Sequence, residues 1–347
     1  MELQPLGRTG VSVSRLALGT MSFGSLGNRD HDECVRMIHT ALDAGINVVD
    51  TADVYSVGES ELIVGKALTG RRDEVVLASK CFWPMGDDPN HRGGSRRWIM
   101  TAVEASLERL GTDHLDVYYL HKLDEDTDLD ESLGTIDDLV RQGKVRYGGV
   151  STFPASWIVE AHRVAERRGL ARPRVEQPPY SIFTRAIERE VLPTTDRYGM
   201  GVLTWGPLDS GWLTGKYGAD ATPAGSRAER WARGAERFDP SRDAVRRKHE
   251  LVALLRELAS VAGLTMPELA VAFCAEHPAV SSVIIGPRTP EQLTSLLAAA
   301  DVHLDEATLD AIDELVPPGE DVDPGFGQGW VPRSLTDPAR RRRSSGG

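Results

Sequence analysis

The chain has 347 residues, of which 40% are hydrophobic and 27% charged, and a formal net charge of −12. That length can bury a large core, as one barrel or two modest domains, and the acidic balance argues against a nucleic-acid surface, which needs a basic field. No apolar run approaches the ~20 residues of a membrane span, no apolar stretch follows a basic N-terminal segment, and Cys34, Cys81 and Cys274 lie far apart without metal-type spacing, so no membrane span, signal peptide, disulfide framework or metal site is expected and a cytoplasmic location is the default. From the N-terminus, Leu3–Leu6, the turn Gly7-Arg8-Thr9-Gly10 and Val11–Val13 read as a β-hairpin. Strand-like and helix-like segments then alternate. Strand Leu16–Leu18 precedes helix His31–Ala44, which Gly45 caps; Asn47–Val49 precedes helix Glu59–Leu68; Val75–Ser79 precedes helix Arg96–Leu110; and Leu115–Leu120 precedes helix Glu131–Gln142. The second half repeats the beat. Strand Val145–Val150 goes with helix Pro154–Arg168, Val175–Gln177 with Arg185–Tyr198, Gly201–Thr204 with Val245–Ala262, and Ser282–Ile285 with Pro290–Ala300.

Eight such units predict an α/β protein, a (β/α)8 TIM barrel with an N-terminal β-hairpin. The irregular segments Trp83–Ser95 and Gly206–Asp243 follow the third and seventh strands. Long loops on the strand-exit face usually cover a binding site. We therefore expect a barrel over residues 1–316 and, from 317 to 347, a Pro-, Gly- and Arg-rich tail that covers the site and is partly disordered at its end, where Arg340–Arg343 form a solvated terminus.

Three of the apolar runs stop on titratable residues: the second on Asp50, the third on Lys80, the fourth on His121, with Tyr55 one turn beyond the first of these. Parallel strands would gather all four side chains at one mouth of the barrel. A phenol loses its proton near pH ~10, so a tyrosine acting as an acid at neutral pH needs a neighbour that stabilises the phenolate. Lys80 can do this, and Asp50 can keep the lysine charged. His121 can donate a hydrogen bond to a substrate oxygen or share in proton transfer. Such a set protonates a carbonyl oxygen while hydride reaches the carbon; none of the four can deliver hydride, so a cofactor is required. Taken singly, each has a plainer account: Asp50 as a turn cap, Tyr55 as an amphipathic wall, Lys80 as an edge charge, His121 as a core histidine. On three consecutive strand ends the joint account is the stronger.

The stretch Gly45-Ile46-Asn47-Val48-Val49-Asp50-Thr51-Ala52-Asp53-Val54-Tyr55, followed by Gly58-Glu59-Ser60-Glu61-Leu62-Ile63-Val64-Gly65, resembles the first signature of the aldo-keto reductases. Further matching segments follow in order: Leu18-Gly19-Thr20-Met21, Gly149–Phe153, Trp205–Leu208 through Gly211–Tyr217, and Ile285–Leu293. The resemblance reaches to about Val316 and has the flavour of the bacterial and potassium-channel-β-subunit branch. It implies Asp50, Tyr55, Lys80 and His121 as a catalytic tetrad, Tyr55 as proton donor, and NADPH as hydride source. It also implies that Gly19, Thr20, Met21, Asp50, Thr152, Gly206, Pro207 and Gly286 border the cofactor. Ser151 and Gln177 would bond the nicotinamide carboxamide, Trp205 would stack on the ring, and Leu208, Ser210, Gly211, Leu213 and Lys216 would hold the pyrophosphate. Arg288 would clamp a 2′-phosphate, with Gln292 facing the adenosine. Two positions depart from the family: Thr152 and Leu296 stand where asparagine is usual or common. No Gly-x-Gly-x-x-Gly turn follows the first strand, so a Rossmann domain is not supported.

The partner this implies is a small-molecule carbonyl substrate, with Phe23, Trp83 and Trp212 as candidate walls and the oligomeric state left open. Two other functions are compatible with these residues. One is a slow, nucleotide-bound regulatory or redox-sensing subunit of the same fold; the other is a lyase in which Lys80 forms a Schiff base.

Overall fold

The computed structural model describes residues 1–217, 226–230, 232–327 and 331–337. A hairpin of β1 (Leu3–Pro5) and β2 (Ser12–Ser14) leads into β3 (Leu16–Gly19), α1 (His31–Asp43), β4 (Val48–Asp50), α2 (Glu59–Ala67), β5 (Val76–Cys81), α3 (Arg96–Leu110), β6 (Leu115–Leu120) and α4 (Leu129–Arg141). Then come β7 (Val145–Ser151), α5 (Ala155–Arg168), β8 (Val175–Gln177), α6 (Val191–Tyr198), β9 (Gly201–Trp205), a four-residue α7 (Arg227–Arg230), α8 (Asp243–Val261), α9 (Met266–Glu276), β10 (Ser282–Ile285), α10 (Pro290–Leu297) and α11 (Glu306–Leu315). β3 to β10 close into an eight-stranded parallel barrel in which β10 pairs with both β9 and β3. The expected (β/α)8 architecture with its N-terminal hairpin is present.

Strand period decides what faces the barrel axis. Ala17, Val48, Ala78, Val117, Tyr119, Val175, Leu203 and Ile284 form one interior cluster, while Leu16, Leu18, Val49, Leu77, Tyr118 and Leu120 belong to the larger core under the helices. Two residues beyond an inward position the chain faces inward again. Asp50 follows Val48, Lys80 follows Ala78, His121 follows Tyr119, Gln177 follows Val175 and Trp205 follows Leu203, so all five are in phase with the interior at the strand-exit end. The opposite end is plugged by the hairpin, whose Leu6 and Val13 join the interior cluster. Its turn can sit there because Gly7 has no side chain: a Cβ would come within 2.4 Å of the Gly201 nitrogen.

Among the described residues several helical segments differ from expectation, the short α7 within the stretch expected to be irregular among them. α6 begins at Val191 rather than Arg185, because Pro193 is tolerated only in a first helical turn; Ala186–Glu188 form a separate 3-10 turn. α9 and α11 were not expected. α9 is buried along Leu269–Cys274 and starts on a reciprocal capping box between Thr265 and Glu268, and α11 starts on Asp305, which accepts from the Thr308 amide. Among the described residues no single helix is long and apolar enough to cross a membrane; α8 and α9 pass that test only as a pair broken by 88°.

Candidate active site

Lys80 is fully buried, and its ammonium has three donors. They go to Asp50 Oδ2 at 2.6 Å, the Thr51 carbonyl at 2.7 Å and Tyr55 Oη at 3.3 Å. Burial alone would pull this amine down, but Asp50 and then Tyr55 oppose it, and the net displacement is upward. Lys80 is therefore a cation at neutral pH. The second Asp50 oxygen accepts from Gln177 Nε2 at 2.7 Å, so the acid is held from both sides.

Tyr55 reaches this cation because the chain after β4 is tied down by main-chain bonds from Thr51 to Ala78 and from Asp53 to Lys80. It then reverses through Ser56, Val57 and Gly58, with φ of 50°, 55° and 90°. Burial pushes the phenol above its ordinary value, and Lys80 pulls it back without reversing the shift. The expectation of a phenol made acidic is thus corrected: the hydroxyl is held protonated, and the cation is placed to receive a phenolate once the proton has left. Among the described residues none accepts the Tyr55 proton. His121 stands edge-on to Tyr55, ring centroids 5.9 Å apart, and its buried Nδ1 has no partner. Burial first, then Lys80 and Lys122, hold its pKa well below the usual range, so the ring is neutral.

Across the mouth, the inward residues of β7 to β10 face the same opening. Ser151 Oγ donates to the Gln177 carbonyl at 2.9 Å, and Thr152 adopts φ 59°. Gly206 and Gly286 leave open space where a Cβ would project, and Trp205 is half-buried between Pro178 and Tyr180, to which it is main-chain bonded. The turn after Trp205 is left-handed at Asp209, Ser210 and Gly211. Cations surround it: Lys216 Nζ lies 3.2 Å from where a Gly211 Cβ would stand, Arg237 donates to Ser210 Oγ at 3.1 Å, and Lys248 neutralises Asp209 at 2.5 Å. Pro207 is buried beneath this turn and Leu208 half-buried. Arg288 is half-buried just before α10, and its amide donates to exposed Gln292. An aromatic face, open glycine positions and clustered cations in a chain of net charge −12 make a donor set that fits an anionic dinucleotide.

Several expected side chains lie elsewhere. Phe23 is fully buried because the loop after β3 folds back on itself through the Phe23–Thr20 and Gly24–Asn28 main-chain bonds, and it packs in the core rather than walling a cleft. Trp212 is 1% exposed, stacked on Phe238 and edge-on to His249, so it too is core. Trp83, 40% exposed and edge-on to His121, keeps a place at the mouth, as does Met21. Gly19, Thr20 and Leu213 are buried, the Thr20 hydroxyl bonded to Ser60 and the Asp50 carbonyl; they shape the mouth without lining it. Leu296 packs in the core. Of the tail, 321–323 lie against Phe183–Ala186 and Arg333 pairs with Asp126 after β6; 338–347, with Arg340–Arg343, fall outside the described residues, as do 218–225 and 231 of the long loop after β9.

The sequence reading missed the Thr51 carbonyl under Lys80, the Asp209–Lys248 pair, and the buried acids Asp53 and Glu176. Backbone groups carry no residue signal, and Lys248 lies on a helix remote in sequence. Glu176 sits beside Gln177 on β8, and an acid on a barrel strand is itself a signal; Asp53, three residues past the end of β4, stood within the quoted stretch without being given a role.

Residues 15–317 match the model of the Aldo/keto reductase family. A probable voltage-gated potassium channel subunit beta of Oryza sativa subsp. japonica is 39% identical over 309 residues, 87% of this chain and 92% of the relative. One of the same name from Arabidopsis thaliana is 38% identical over 325 residues, 91% of this chain and 97% of the relative. The uncharacterized oxidoreductase YrpG of Bacillus subtilis (strain 168) is 39% identical over 329 residues, 91% and 96% of the two chains.

Proposed function

The chain belongs to the aldo/keto reductase family, a family of oxidoreductases, and from that premise we propose that it reduces an aldehyde or ketone to an alcohol with NADPH as hydride source and Tyr55 as general acid. The observation that carries this is the buried Lys80 ammonium, bonded at once to Asp50 and to the Tyr55 hydroxyl. NADPH, when bound, supplies the hydride for the carbonyl carbon. Tyr55 gives its proton to the carbonyl oxygen, and Lys80 stabilises the phenolate left behind. Asp50 keeps Lys80 charged without competing for the phenol, because its other oxygen is taken by Gln177. His121, neutral, offers a ring N–H to the same substrate oxygen. Gln177, Ser151 and Thr152 would hold the nicotinamide end, Trp205 its ring face, Leu208, Ser210, Gly211 and Lys216 the pyrophosphate, and Arg288 with Gln292 the adenosine phosphate.

A Schiff-base role for Lys80 loses support on the same geometry, since all three donors of a buried cation are engaged and no neutral amine is presented. That the two plant relatives are named as channel subunits favours one other reading, a nucleotide-bound regulatory subunit with a slow site. One assay separates the two: NADPH consumption with a panel of aldehydes and ketones, with product identified as alcohol, beside a binding titration of NADPH and NADH. Turnover that is lost in Tyr55→Phe, with an NADPH preference that is lost in Arg288→Ala, supports the reductase. Tight NADPH binding with negligible turnover across the panel and a stable protein partner supports the regulatory subunit.

A further inference from the structure

The last two residues of β8 point to opposite sides. Gln177 faces inward to Asp50, while Glu176 is turned away from the barrel axis and is completely buried. Its Oε1 accepts from the Phe153 amide at 3.1 Å, and its Oε2 has no partner. One residue on, the Gln177 carbonyl accepts both Ser151 Oγ at 2.9 Å and the Thr152 amide at 3.2 Å. The end of β8 thus takes up donors from three successive residues of the turn that leaves β7.

That turn needs holding. Thr152 is β-branched yet sits at φ 59°, a conformation that is strained for such a residue and persists only where its surroundings impose it. Phe153, the next residue, is 2% exposed and packs in the core, and its amide would be orphaned without Glu176. A buried donor left unmet is costly on the same scale as that strain, so the bond to Glu176 favours the strained turn over arrangements that would leave the amide without an acceptor. Burial pushes the Glu176 carboxyl well above its usual range, the Phe153 and Thr152 amides and then Lys122 opposing that shift, so glutamine is a close substitute for it at neutral pH.

We propose that Glu176 is a positioning residue that fixes the Ser151–Thr152–Phe153 turn through the Phe153 amide, and so sets the grip of Ser151 and Thr152 on the nicotinamide end of the cofactor. The proposal rests on the functional reading above for the identity of the ligand, and on the hydrogen bonds alone for the turn. Glutamine keeps an acceptor in place of Oε1, methionine fills the volume without one, and aspartate withdraws the acceptor by one methylene.

The test compares the parent, Glu176→Gln, Glu176→Met and, should Met not fold, Glu176→Asp. Amide exchange across 150–155 in the ligand-free protein is expected to rise at least tenfold in Met or Asp and to stay at the parent rate in Gln. NADPH affinity is expected to fall about tenfold in Met or Asp, while adenosine 2′,5′-bisphosphate, which lacks the nicotinamide, binds each variant as it binds the parent. Unchanged exchange in Met, or equal weakening of both ligands, would overturn the proposal. A parent that binds no NADPH sinks the functional reading instead, and the exchange arm still decides whether Glu176 holds the turn.

Discussion

Two buried carboxyls near the site are partnered differently. Asp50 has an ammonium and an amide on its oxygens, whereas Asp53, three residues on and 1% exposed, has no partner on either oxygen. Burial, reinforced by the Glu61 carboxylate, raises the Asp53 pKa from 3.8 to about 8, against the weaker pull of the Val54 amide, Arg109 and Lys80. A carboxyl that binds its proton more tightly when folded makes the folded state lose stability as pH climbs from its unfolded pKa to its folded one. Between about pH 4 and pH 8, the unfolding free energy of Asp53→Asn should therefore rise steadily relative to the parent, as read from urea titrations at several pH values; a constant difference across that window would refute the assignment. The convergence of Asp50, Tyr55, Lys80 and His121 was legible because each ends or closely follows a strand whose period was readable. The burial of Phe23 and Trp212 was not, since a backfolded loop and the distant Phe238 and His249 decide it.

At the scale of elements, strands announce themselves by alternating in and out of the barrel, and each was found within about two residues. α9 escaped because its apolar residues occupy all sides, leaving no amphipathic period; only Thr265-Met266-Pro267-Glu268 marked its start. The left-handed link between β4 and α2 was also invisible, since Ser56 and Val57 are not residues that suggest it. Val57 is 75% exposed with φ 55°, so it carries the left-handed penalty with little burial to offset it. Replacing it with asparagine, which tolerates that region, should stabilise the protein by about 1 kcal/mol, seen as a raised urea midpoint at unchanged slope. A lowered midpoint would mean that the Val57 side chain packs on something at the mouth.

At the scale of the molecule, one buried cation ties several parts of the C-terminal segment to the barrel. Arg185 donates to Glu188, to Asp313 on α11 and to the Val316 carbonyl, while the two Glu188 oxygens also receive Tyr180 Oη and the Gly319 amide. Removing one partner of such a buried network costs about 3–5 kcal/mol, so Arg185→Ala should lose stability on that scale in chemical denaturation; a loss below about 1 kcal/mol would show the segment to be held elsewhere. Net charge in the sequence argued against a nucleic-acid surface but could not show where cations gather in an acidic chain, because Lys216 and Arg237 come together at Gly211 and Ser210 only through packing. The central claim is that the Tyr55 hydroxyl, poised on Lys80, is the proton source for carbonyl reduction. Its most direct test is single-turnover loss of NADPH absorbance on mixing with a reactive aldehyde, in parent and Tyr55→Phe at matched cofactor occupancy. The account predicts a rate lowered by about 10²–10⁴ in the variant with NADPH still bound, and equal rates in the two proteins would contradict it.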